Sequence, residues 1–105
     1  MAATLSLIKT MLETTGFPVA YRAFPKEGAP DMPFLCYQES EPNNFYADGV
    51  VFHSSTHPEI LLYTKEKDPD AEDKVEKALS SFAWRKSETY LTNEQCYEIL
   101  YEIEV

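Results

Sequence analysis

The chain alternates short apolar stretches with turn signals, and the spacing of its apolar positions changes along its length. Leu5, Ile8 and Leu12 recur at helical spacing with Met11 beside them, which predicts a first helix. Thr4 is the expected N-cap and the helix should end near Thr15, with Gly16 closing it and Pro18 preventing continuation. Residues 19 to 24, VAYRAF, are compatible with a strand. Pro25, Pro30 and Pro33 then mark a loop, because proline removes backbone donors. From Pro33 to Ser40, PFLCYQES alternates Phe34, Cys36 and Gln38 on one side with Leu35, Tyr37 and Glu39 on the other.

Asp48-Gly49 is a two-residue hairpin signal, since a type I′ turn needs positive φ at both central positions. It predicts Ala47 opposite Val50, Tyr46 opposite Val51 and Phe45 opposite Phe52. Glu59 to Lys65 contains ILLYT, an apolar run suited to the middle of a sheet covered on both faces. Asp68-Pro69 predicts the start of a second helix, with Asp68 as cap and proline at the first helical position. Its buried face should be Ala71, Val75, Ala78, Leu79 and Phe82. Asp70, Glu72 and Asp73 suit the positive end of the helix dipole and the solvated side. Asp70–Lys74 and Asp73–Lys77 are spaced for i,i+4 pairs. Trp84 to Leu91 and Cys96 to Val105 form a closing hairpin around Thr92 to Gln95. In its second strand Tyr97, Ile99, Tyr101, Ile103 and Val105 share one face, and Cys96, Glu98, Leu100, Glu102 and Glu104 share the other.

The predicted order is α–β–β–β–β–α–β–β. The expectation is an α+β fold: a mostly antiparallel sheet with two helices packed on one face, in a single domain spanning residues 1–105. The polar face of the last strand should look away from the helices.

The 105 residues carry 18 acidic and 9 basic side chains, a net charge of −9. Such a surface repels phosphate backbones, which argues against sequence-reading nucleic-acid binding and favours solubility. The first sixteen residues lack the apolar core of a secretory signal, and no apolar run approaches a membrane span. A soluble cytoplasmic protein with no membrane partner is the expectation.

Candidate chemistry is sparse. His53 and His57, the two histidines, would lie roughly 13 Å apart on one continuous strand, too far to share a metal. A turn could bring them together, yet no third ligand is evident, and exposed loop histidines are the plainer reading. Cys36 and Cys96 fall inside strands without redox or metal spacing, so buried free thiols are expected. The three glycines form no phosphate loop. Glu98, Glu102 and Glu104 alternate on one strand face. A solvated face ranks first for them, a channel or interface second, and catalysis last. No cofactor, metal or catalytic residue is assigned. Phe45 and Tyr46, beside Asn43-Asn44 and the Asp48-Gly49 tip, suggest a contact arm on a two-stranded ribbon; folding back onto the core is equally compatible with the sequence.

Taken together, the N-terminal helix followed by GFPVAYRAF, then PFLCYQE, NNFYADGVVF, ILLYTKEKDP with its acidic helix, and KSETYLTNEQCYEILYEIEV resemble the short tail-completion, or tail-terminator, proteins of long-tailed bacteriophages and Gram-positive prophages. The likeness covers nearly the whole chain and rests on joint order and spacing. It implies a structural virion-assembly protein with no catalytic residues. It implies a ring, typically hexameric, that caps the head-proximal end of the tail tube, stops its polymerisation and presents a joining surface to head connector proteins. Its partners would be the tail tube protein, the connector and further copies of itself, and a monomer away from the tube is compatible with this. It would work in the host cytoplasm during assembly and in the virion neck. DNA would pass its bore without sequence-specific binding, past acids such as Glu98, Glu102 and Glu104. Asn43, Asn44, Phe45, Tyr46, Asp48 and Gly49 would contact neighbours. The competing expectations are a head-closure or connector subunit, a small metal-dependent hydrolase using His53 and His57, and a binding module for a basic partner.

Overall fold

The computed structural model describes residues 2–25, 28–39, 46–47, 50–51 and 58–104. Their elements are α1 (Ala2–Glu13), β1 (Val19–Tyr21), β2 (Phe34–Glu39), β3 (Tyr46–Ala47), β4 (Val50–Val51), β5 (Pro58–Thr64), α2 (Pro69–Ala78), β6 (Ala83–Leu91) and β7 (Cys96–Glu104). The order matches the expected α+β arrangement, with α1 and α2 against one face of the sheet.

The main sheet runs β1-β2-β5-β7-β6, while β3 and β4 form a separate two-stranded ribbon. All pairs are antiparallel except β1 with β2. A parallel neighbour requires a crossover of about a dozen residues. The proline-rich connection from 22 to 33 is that crossover, so its length has a structural reason. Its early part lies against the sheet: Arg22 N–H donates to the Tyr37 carbonyl at 2.9 Å, and Phe24 stacks edge-on against Phe34 at 5.1 Å. Phe34 in turn meets Tyr63 at 5.3 Å. These aromatics are on the sheet face opposite the helices.

Most boundaries shift by one or two residues from expectation, and two differences have a clear local cause. The first helix begins at Ala2, so Thr4 lies inside it rather than capping it; the two alanines before Thr4 are strong helix formers. Strand β1 ends at Tyr21 instead of residue 24. Arg22 adopts φ 69°, which breaks the pleat, and Ala23 N–H donates back to the Tyr21 carbonyl at 2.8 Å. At the far end of α1, Gly16 takes φ 85° and donates to the Glu13 carbonyl, the expected termination.

Helix α2 starts as its sequence predicts. The Asp68 carboxylate accepts from Ala71 N–H at 3.1 Å, with Pro69 next in line. The Asp73–Lys77 pair forms at 3.1 Å. The Asp70–Lys74 pair is not among the ion pairs of the described residues; the Lys74 ammonium lies 5.4 Å from the Phe17 ring centre instead.

The core lies between the sheet and the helices. Ile8 and Leu12 of α1 and Ala71, Val75 and Leu79 of α2 cover Leu35, Tyr37, Ile60, Leu62, Ile99, Tyr101 and Ile103. Along β7 the odd-numbered residues are those covered, as the alternation predicts. On the opposite face Cys36, Leu61 and Cys96 are also buried, so the sheet centre is covered on both sides. Ile99→Ala should therefore cost about 3 kcal/mol, against about 1 kcal/mol for the half-buried Leu100→Ala. Urea denaturation checks this contrast through the shift in midpoint.

Candidate functional site

Among the described residues, the most heavily connected polar cluster joins α2 to β6. Glu72 is only 4% exposed yet carries a carboxylate. Lys67, in the segment before α2, holds it at 2.8 Å, and Lys86 of β6 holds it at 2.9 Å. Lys86 also reaches Glu76 at 2.7 Å, and Lys67 pairs with Glu88 of β6. The Tyr101 hydroxyl donates to Glu76 at 2.8 Å. Two lysines thus bridge three carboxylates across the helix–strand junction.

Burial alone would raise the Glu72 carboxyl, but the hydrogen bonds from Lys67 and Lys86 overcome that and hold it below the ordinary carboxylate range. Lys67 is raised by its hydrogen bonds to Glu72 and Glu88, and Lys86 by those to Glu76 and then Glu72. Burial, then the bond to Glu76, keeps Tyr101 protonated well above its usual range. Each charge is matched, so this cluster fastens and does not present a free acid or base. The expectation that the acids of α2 belong to its start and solvated side is corrected for Glu72. It stands three residues before Val75 and seven before Leu79, within the apolar stripe, and that spacing was the available signal. Its partner Lys86 is distant in sequence and carried no such signal.

The two cysteines are buried and free. Burial pushes both thiols up, although Phe24 N–H bonding to Cys36 acts the other way. That is the opposite of an activated nucleophile. No group of three or more metal-ligating side chains occurs among the described residues. His53 and His57 lie outside those residues. A surface depression of about 450 Å³ is lined by Pro30, Asp31, Met32, Lys65, Glu94 and Gln95, without a nucleophile–base pair.

Of the expected contact arm, Tyr46 pairs with Val51 and Ala47 with Val50, in the register predicted from Asp48-Gly49. Asn43, Asn44, Phe45, Asp48 and Gly49, and the Phe45–Phe52 pair, lie outside the described residues. The acids of β7 take different positions. Glu98 is half-buried and accepts from the Tyr63 hydroxyl at 2.8 Å. Glu102 is exposed, between Glu59 on β5 and Arg85 on β6. Glu104 ends the strand opposite Ala83.

The other prominent surface is β6. It is the outer strand of the sheet, and all its residues except Leu91 are exposed. Trp84 is 39% and Tyr90 50% exposed. Each lies over a β7 tyrosine, Trp84 on Tyr101 and Tyr90 on Tyr97. Their exposure follows from the position of β6 beyond the edge of the helix layer.

No protein-family model matches this chain, and no curated protein is significantly similar to it. No helix among the described residues is long and apolar enough to cross a membrane.

The Glu72 clamp generates an asymmetric prediction. Lys86→Met leaves a buried carboxylate with one counterion and should cost about 2–3 kcal/mol. Glu72→Leu leaves two lysines that can rehydrate and should cost about 1 kcal/mol or less. Chemical denaturation at neutral pH compares them. Because the Glu72 carboxyl is lowered in the fold, its contribution is present above the ordinary value of 4.5 and is lost as pH falls below it. The melting-temperature gap between wild type and Glu72→Leu should therefore narrow in acid. The raised lysines contribute fully below 10.5, and their share is lost as pH rises beyond it.

Proposed function

We propose that this protein is a structural component of a phage neck, a tail terminator that caps the head-proximal end of the tail tube. One observation carries the reading beyond the sequence resemblance. The NNFYADGVVF segment contains a two-stranded ribbon that is separate from the main sheet among the described residues. Such a ribbon has its own backbone pairing and does not need the domain's sheet to complete it. In this reading Asn43, Asn44, Phe45, Tyr46, Asp48 and Gly49 form an arm that reaches a neighbouring copy or the last tube ring. The five-stranded domain is then the rigid body that the arm serves.

The mechanism is geometric. One face of a ring of copies matches the terminal tube subunits, and the other cannot accept another tube subunit, so growth stops. The second face then receives the head connector. Glu98, Glu102 and Glu104 line the bore in this proposal, where like charge keeps passing DNA from adhering. Glu102 is the exposed side chain among those described, so it carries most of that role; Glu98 is shared with Tyr63.

Electron microscopy of isolated tail tubes, with and without the protein, tests the reading. Added protein should give a terminal ring and tubes of bounded length. Binding to DNA-filled heads with no effect on tubes would replace the proposal with a head-closure or connector role. Gly49→Val should abolish capping while leaving the thermal unfolding of the domain unchanged, because a β-branched residue resists the positive φ that the Asp48-Gly49 turn demands. Undiminished capping by this variant would remove the arm from the mechanism.

A further inference from the structure

Strand β6 is a long edge of the main sheet. It spans nine residues and has β7 as its only strand neighbour among the described residues. It contains no proline, and all its residues except Leu91 are exposed, on both faces. Such an edge offers a row of backbone donors and acceptors to another strand. The opposite edge, β1, is three residues long and ends at the positive φ of Arg22. It is too short to act in the same way.

The sequence of β6 is chemically self-complementary about its centre. Set antiparallel to a copy of itself with Ser87 opposite Ser87, the strand places Lys86 opposite Glu88, Arg85 opposite Thr89, Trp84 opposite Tyr90 and Ala83 opposite Leu91. Every pair then occurs twice. Directly opposed residues share a sheet face. The two Lys–Glu pairs and the two Trp–Tyr pairs therefore all fall on the helix side, where Trp84 and Tyr90 are exposed. Lys86 and Glu88 keep 35% and 39% of their side-chain surface free despite their bonds within the chain. Charge selects the same strand. In a chain of net charge −9, β6 carries Arg85 and Lys86 against one acid, Glu88, which eases the repulsion between two acidic molecules here.

We propose that β6 pairs with β6 of a second copy, antiparallel about a twofold axis at Ser87, to give a continuous ten-stranded sheet. The contact is isologous and does not depend on the neck reading. A head-to-tail ring uses two different surfaces, so such a dimer is a separate state of the chain and covers the edge away from an assembly.

A cross-linking experiment on the full chain tests both the contact and its register. The two native thiols are buried, so a cysteine introduced on β6 is the accessible one. Ser87→Cys should form a disulfide-linked dimer under mild oxidation, because facing residues of an antiparallel pair have Cα atoms about 4.5–5.5 Å apart. Arg85→Cys, on the same face but facing Thr89, should form no disulfide-linked dimer in the same conditions. Failure of Ser87→Cys to cross-link, or equal cross-linking by both variants, would overturn the proposal. Sedimentation of the unmodified protein should show a concentration-dependent species of twice the 12.0 kDa chain mass. Thr89→Arg sets two arginine pairs face to face and should weaken that species roughly ten-fold. Exchanging the two residues, Arg85→Thr with Thr89→Arg, should restore it. A monomer at all concentrations, or a double variant as weak as the single one, would also refute the pairing.

Discussion

Strand β7 hydrogen-bonds on both sides, to β5 and to β6, and its register decides what every other part can do. With Ile99 opposite Leu62 and Tyr101 opposite Ile60, the apolar faces of the two central strands coincide under the helices. A slip by one residue would turn the glutamates of β7 into that space. The same register puts Lys86 beside Tyr101. From there the lysine reaches Glu76 and Glu72, and Lys67 completes the connection to Glu88. A pattern of apolar alternation thus determines where the charges meet, and the charges fasten α2 over the hairpin.

What could be read from the sequence was mostly local. The Asp48-Gly49 turn gave the Tyr46–Val51 and Ala47–Val50 pairing because two residues leave little freedom of register. Asp68-Pro69 located the start of α2 because capping involves neighbours three residues apart. The covered face of β7 followed from strict alternation. The strand order and the parallel contact of β1 with β2 are long-range and left no periodic trace. The purpose of the proline-rich connection was hidden for the same reason. Glu72 was misread because its own spacing suggested burial while its charge suggested water, and the deciding lysine is fourteen residues farther along the chain. The exposure of Trp84 and Tyr90 left no local signal, because it depends on where the helix layer stops relative to β6.

The proposed function is work done by contact. The buried Glu72 is matched by Lys67 and Lys86, and the thiols are buried. Among the described residues an edge strand with exposed aromatics is open to other molecules, and the chain carries a surplus of negative charge. These suit recognition by shape and exclusion. In the two proposals the ribbon and the β6 edge serve different associations, one in the neck assembly and one between two free chains.

The burial of Cys36 and Cys96 has a practical side. Cys36 lies under the crossover that follows β1, on a strand next to one edge of the sheet, and Cys96 begins β7 next to the other. Both are inert while covered, since their thiols are held protonated and out of reach. A reagent that labels thiols can attack only after the local structure opens. The two labelling rates are therefore separate clocks for fluctuations at the two sides of one sheet, built into the natural sequence and readable without any added probe.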